Sequence, residues 1–146
     1  MHPATRAVRV AGPAGALDTE IDEPAAQPRG VAVLCHPHPL HGGTMGNKVV
    51  QTLARAFVQL GYRAVRFNFR GVGASDGHWD EGRGEVDDAL AVVEAQRNPD
   101  LPLVLGGFSF GGYVAASAAS ALHGRVAVER LVLVGPAASR VAMPAV

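Results

Sequence analysis

The sequence holds one cysteine, Cys35, and one lysine, Lys48. A single cysteine permits no internal disulfide, which excludes a small cross-linked secreted scaffold. The formal net charge is zero, and without a basic surface a general binder of nucleic acid or of anionic membranes is excluded. No apolar run is long enough to cross a bilayer. The segment Met1–Gly12 carries Arg6 and Arg9 but lacks the apolar centre of a secretory signal. No G-x-x-x-x-G-K-[ST] pattern surrounds Lys48, so a P-loop is excluded as well. These absences predict a cytoplasmic protein without nucleic-acid or membrane partners.

What is present reads as one globular domain over residues 1–146, with 48 % hydrophobic and 18 % charged residues. Thr5–Ala11 and Ala16–Asp22 alternate in polarity around Gly12-Pro-Ala-Gly15, which predicts an antiparallel hairpin. Glu23–Arg29 is a linker, and Val31–Cys35 is a short apolar run of the kind buried on both faces of a sheet. Asn47–Leu60 predicts a helix with Val49, Val50, Leu53, Phe57 and Leu60 on one stripe, stopped by Gly61. Tyr62–Arg70 alternates, with Val65, Phe67 and Phe69 on one face. Arg70–Gly77 reads as a loop that an Arg70–Asp76 pair would shape, and Glu85–Gln96 as a helix with an acidic first turn. Leu103–Gly106 is a second buried strand, Phe110–Leu122 a helix of small residues, and Arg130–Gly135 a last strand. The order β-α-β-α-β-α-β after the hairpin predicts an α/β fold: a mostly parallel sheet with helices on both faces.

In PLVLGGFSFGGYVAASAAS (Pro102–Ser120), Ser109 falls where a buried strand turns directly into a helix. A serine there needs a strained backbone to lift its hydroxyl above the sheet edge. Side chains two residues before and after would collide, and Gly107 and Gly111 occupy those positions. The helix that follows points its free amides and positive dipole end toward the serine, the right sign for an oxyanion.

Three stretches in order, LCHPHPLHGGTMGNKVV (Leu34–Val50), FNFRGVGASDG (Phe67–Gly77) and GGFSFGG (Gly106–Gly112), resemble the α/β-hydrolase superfamily. The likeness is to its small cofactor-free serine hydrolases with HPHP-x-x-GG after the third strand. The resemblance implies a three-layer α/β-hydrolase sandwich, hydrolysis of a carboxylic ester or thioester, and no cofactor. It implies Ser109 as nucleophile and the backbone N–H of Phe110 as one oxyanion donor. The second donor would come from the loop starting His36-Pro-His-Pro-Leu-His41. Pro37 and Pro39 have no N–H, which leaves His38, with Leu40 as the other candidate.

The family pattern also asks for an Asp and then a His after the serine. His123 is the only later histidine and Glu129 the only later acid. A helix starting at Ser109 carries His123 about 20 Å away, and Glu129 precedes the final strand. Neither is assigned to a triad. The sequence is therefore expected to lack the last strands of the fold, to be weak or inactive by itself, and to leave Leu131–Val134 as an open sheet edge. A second copy or a complementing chain would pair there. His36, His38 and His41 with Asp76 and His78 could suggest a metal hydrolase, but the interleaved prolines favour no metal, with His36 and His41 bonding loop backbone. One of these histidines acting as a substitute base is a further alternative. Gly71–Asp76 only approaches a dinucleotide fingerprint, and Cys35 reads as core. Trp79 and Met45 line an acyl pocket or merely cover loops. The alternative from another class is a non-catalytic binding protein on the same fold, which would have no use for the glycine-rich serine turn.

Overall fold

Alternating polarity makes the first two elements. Strands β1 (Thr5–Gly12) and β2 (Gly15–Asp22) pair antiparallel with Val10 opposite Leu17, closed by a two-residue turn at Pro13 and Ala14. The computed structural model describes residues 5–135; residues 1–4 and 136–146, and with them both ends of the single domain expected over 1–146, lie outside the described residues. Leu17, Thr19 and Ile21 of β2 point inward while the residues between them do not, the two-residue period of a half-buried strand.

The remaining strands are β3 (Val31–Cys35), β4 (Arg63–Phe67), β5 (Leu103–Phe108) and β6 (Val128–Val134), and the sheet order is β1-β2-β4-β3-β5-β6. Pairings β3–β4, β3–β5 and β5–β6 are parallel, whereas β2 meets β4 antiparallel. Every residue of β3 is buried, as its unbroken apolar run predicts. Helix α1 (Lys48–Gln59) covers one face, packing Val50, Ala54, Phe57 and Val58 against Ala32, Leu34, Ala64 and Val104. Helices α2 (Arg83–Gln96) and α3 (Phe110–Leu122) cover the other, over Val33, Cys35, Val65, Phe67 and Leu105. This is the expected three-layer α/β sandwich with an antiparallel hairpin at its edge.

Two local expectations change. Leu60 does not join the apolar stripe of α1; it is 58 % exposed. The buried residues recur at 50, 54, 57 and 58, and Leu60 follows as the C-cap, turned away from that face. Gly61, at φ +91°, makes the stop, with its N–H donating to Val58 O at 2.9 Å. Strand β4 ends at Phe67 rather than Arg70: Asn68 N–H still donates to Asp18 O, opposite it on β2, but the next amide, Phe69 N–H, turns to the ring nitrogen Nε2 of His36. Phe67 and Phe69 still lie fully buried in one cluster.

Candidate active site

The chain leaves β3 through α1 to reach β4 on one side, and leaves β5 through α3 to reach β6 on the other. Between neighbours whose connections diverge, a crevice opens at the carboxyl ends of the strands, where α/β sheets bind ligands. The His36–Gly43 loop leaves β3 on one lip of this crevice, and Ser109 follows β5 on the other.

Ser109 has φ 58° and ψ −120°, a conformation that costs a non-glycine residue about 1–3 kcal/mol. The expected strained backbone is present. It is held by Ser109 N–H donating to Val134 O and by Ser109 O accepting from Gly112 N–H, both at 2.9 Å. A serine before a helix usually caps it with its hydroxyl. Ser109 makes no such bond, so its half-buried hydroxyl is not committed to the helix.

The flanking glycines answer to different neighbours. A Cβ on Gly107 would lie 2.1 Å from Gly111 O, a collision inside the turn itself. A Cβ on Gly111 would lie 2.2 Å from Cys35 O and 2.6 Å from His36 O. The start of α3 is thus pressed against the end of β3, across the crevice. Phe110 is the first residue of α3, where geometry gives the amide no acceptor within the helix.

On the opposite lip, Pro39–His41 form one 3-10 turn with His38 as its N-cap. His38 Nδ1 accepts from Leu40 N–H at 3.1 Å, so the amide of the other candidate donor is directed at a ring nitrogen. His38 O accepts from the amides of His41 and Gly43, each at 3.0 Å. Gly43 is required here, since a Cβ would meet Pro37 O at 2.0 Å. The ring of His41 is exposed and stacks on His38 at 4.6 Å.

His36 is fully buried and bridges two loops. Its Nδ1–H donates to Pro37 O at 2.6 Å and its Nε2 accepts from Phe69 N–H at 3.1 Å. Burial lowers its pKa to about 4, against a smaller opposing effect of the bond to Pro37. It is a neutral structural imidazole with both nitrogens engaged, which removes it as a substitute base.

The Arg70–Asp76 pair expected from sequence does not form. Arg70 binds Asp88, with its Nη2 2.9 Å from Oδ1 and its backbone N–H 2.9 Å from Oδ2. Asp76 instead accepts from Ala16 N–H at 2.9 Å and closes the β1–β2 turn onto the Arg70–Gly77 loop. Asn68 carries that tie onward: its Oδ1 accepts from Met45 N–H at 2.8 Å, and its Nδ2 donates to Asp18 Oδ2 at 3.3 Å. Neither Asn68 nor the bridging role of His36 has a local sequence signature, because both join residues far apart in the chain.

Cys35 is buried, and desolvation pushes its thiol pKa up, which fits a core residue and not a thiolate. His123 caps the far end of α3. Glu129 accepts a 3.0 Å bond from Tyr62 Oη, near the start of β6 where Val128 pairs with Leu103. His123 lies a full helix away from Ser109, as the sequence predicts, whereas Glu129 is the second residue of β6 rather than preceding that strand, at the end opposite Val134, whose carbonyl Ser109 N–H meets. Among the described residues no three His, Cys, Asp or Glu side chains converge as metal ligands, and no helix is long and apolar enough to cross a membrane.

Residues 26–145 match a family model described as serine aminopeptidase, S33. An α/β serine hydrolase without a lid from Xanthomonas campestris is 45 % identical with a TM-score of 0.86, over 95 % of this chain and 64 % of that one. An α/β serine hydrolase homologue from Coxiella burnetii is 44 % identical with a TM-score of 0.83, over 91 % of this chain and 64 % of that one. An uncharacterized protein of Rickettsia prowazekii is 43 % identical over 108 residues, which cover 71 % of this chain and 45 % of that protein. The chain therefore spans less than two thirds of the length of each of these relatives.

Proposed function

Because this chain belongs to the serine aminopeptidase S33 family of α/β-hydrolases, we propose that it acts as a serine hydrolase on carboxylic esters or thioesters, with Ser109 as the nucleophile. Ser109 Oγ attacks the carbonyl carbon and loses its proton to a base. The carbonyl oxygen becomes an oxyanion held by the N–H groups of Phe110 and His38. The C–O or C–S bond then breaks, an alcohol or thiol leaves with a proton, and water attacks the acyl-serine to release the acid. Alkoxide and thiolate leave more readily than an amine, which needs a proton from a positioned acid; esters and thioesters therefore suit the site better than peptides.

The strained φ of Ser109 carries this reading. A binding protein freed from catalysis gains nothing from that strain, nor from glycines at 107 and 111. With His123 and Glu129 both distant and His36 engaged, none of these three is placed to take the proton of Ser109. Losing the histidine of a triad lowers turnover on the order of 10⁶-fold, so the 146-residue chain assayed alone should be nearly inert.

The test is to incubate it with an activated ester and search by mass spectrometry for an acyl group on Ser109. Slow acylation that Ser109→Ala abolishes supports the reading; acylation elsewhere, or none, overturns it. Rapid turnover dependent on Ser109 would keep the nucleophile and refute the inertness.

Among the described residues β6 ends the sheet order, and Leu131, Val132, Leu133 and Val134 are all partly exposed. A second copy or a complementing chain pairing on this edge is part of the proposal. Sedimentation showing only monomer at every concentration would count against a homodimer.

A further inference from the structure

Among the described residues only Ser109 and Glu81 hold a positive φ without being glycine, both at 58°. The first aims the serine. The second belongs to the turn Asp80–Gly82, in which Gly82 is also left-handed at 90°. Such strain persists only where the surroundings over-determine it. Here the surroundings are Glu85, fully buried, whose Oε2 accepts from Asp80 N–H and whose Oε1 accepts from Gly82 N–H, both at 2.9 Å.

The residue placed by that turn is Trp79. Its ring lies 4.7 Å from the ring of His38 and 5.4 Å from that of Phe110, while those two rings are 4.9 Å apart. The three rings close a triangle. Two of its corners are the side chains of His38 and Phe110, whose amides hold the oxyanion in the reading above. His38 belongs to the loop after β3 and Phe110 to α3; the β3–β5 pairing and the packing of Gly111 on Cys35 O and His36 O bring these segments together, but neither contact includes His38 itself. Trp79 comes from the connection between β4 and α2 and touches both.

We propose that Trp79 is a positioning residue of the oxyanion site, setting the distance between the His38 and Phe110 amides, and that the strained Glu81 turn serves to aim it. The inference rests on the assignment of Ser109 as nucleophile. Donors must lie within a few tenths of an ångström of the developing charge, and a misplacement of about 1 Å can cost about 100-fold in rate. Without the indole, the His38 loop loses one of the aromatic neighbours that pack its ring.

The test is the rate of Ser109 phosphonylation by a fluorophosphonate, resolved into kinact and KI, in the native chain, Trp79→Phe, Trp79→Leu, Trp79→Ala and Ser109→Ala. Trp79→Ala and Trp79→Leu are expected to lower kinact by about 10- to 100-fold with KI within about threefold of native, and Trp79→Phe to restore most of it. Melting curves accompany each variant, and if Trp79→Ala fails to fold, Trp79→Leu decides. An unchanged kinact, or a rise in KI alone, overturns the proposal and leaves Ser109 as nucleophile. If the native chain is not labelled at Ser109, the nucleophile assignment falls and the proposal falls with it.

Discussion

The imidazole of His38 and the phenyl ring of Phe110 are in contact, with centroids 4.9 Å apart. Two residues from different lips of the crevice are thereby joined beside Ser109. The pair yields a clean test of which part of His38 matters. His38 has φ −54° and ψ 122°, values a proline accepts. His38→Pro therefore deletes the N–H with little change in backbone, and His38→Ala keeps it. Both lose the ring contacts and the bond to Leu40. His38→Pro is expected to reduce Ser109 acylation by a further factor of about 100 or more beyond His38→Ala. Equal loss in the two variants would mean that the side chain, not the amide, does the work.

The glycines around Ser109 predict a graded stability series. Gly111→Ala drives a methyl into Cys35 O and His36 O, and Gly107→Ala drives one into Gly111 O. These are backbone atoms that cannot rotate aside, so each substitution should destabilise by about 1–3 kcal/mol or more. Gly46→Ala is the control, because its nearest neighbour would be 3.5 Å away and its φ is ordinary. Urea melts of the three variants check the order, and equal midpoints would refute the steric account.

His36 predicts an acid limb in stability. Its folded pKa, about 4, lies below the unfolded 6.5, so the unfolded state binds the extra proton first. The contribution is fully present above about pH 6.5 and is lost as pH falls through 4, up to an order of 3 kcal/mol. Protonation would place a donor on Nε2 opposite Phe69 N–H. Stability measured by urea from pH 7 to pH 4 should fall less steeply in His36→Gln than in the native chain. Parallel profiles would show that other groups set the acid response.

Arg70 and Asp88 form a buried pair, with side chains 11 % and 0 % exposed. Asp88→Ala strands a guanidinium and the Arg70 amide, and should cost about 3–5 kcal/mol. Arg70→Ala should cost a comparable amount, and the double variant less than the sum of both. Strict additivity in a double-mutant cycle would argue against the coupling.

Much of this architecture is legible in the sequence because its signals are local. The apolar run Val31–Cys35, the stop at Gly61 and the need for glycine at Gly107 each carry their cause within a few residues. Partners across long separations are not legible. Arg70 stands near Asp76 in sequence, yet Asp88 lies one helical turn into α2, facing the sheet, and takes the guanidinium instead. Trp79 gives no sign of its target because both His38 and Phe110 come from other elements. The crevice itself follows from strand order, which periodicity does not reveal. Ser109 stands out in sequence because Gly107 and Gly111 flank it at fixed spacing, although only the steric demand on Gly107 is local and Gly111 answers to Cys35 and His36; the partners of Asn68 and His36 emerge only once the loops are assembled.

The most direct test of the central claim is a crystal structure of the chain with a boronic or phosphonic acid bound at Ser109. A tetrahedral adduct on Oγ is expected, with one adduct oxygen about 2.7–3.1 Å from the backbone nitrogens of both Phe110 and His38. An adduct oxygen turned to solvent, or held by the His38 ring with both amides facing elsewhere, would contradict it.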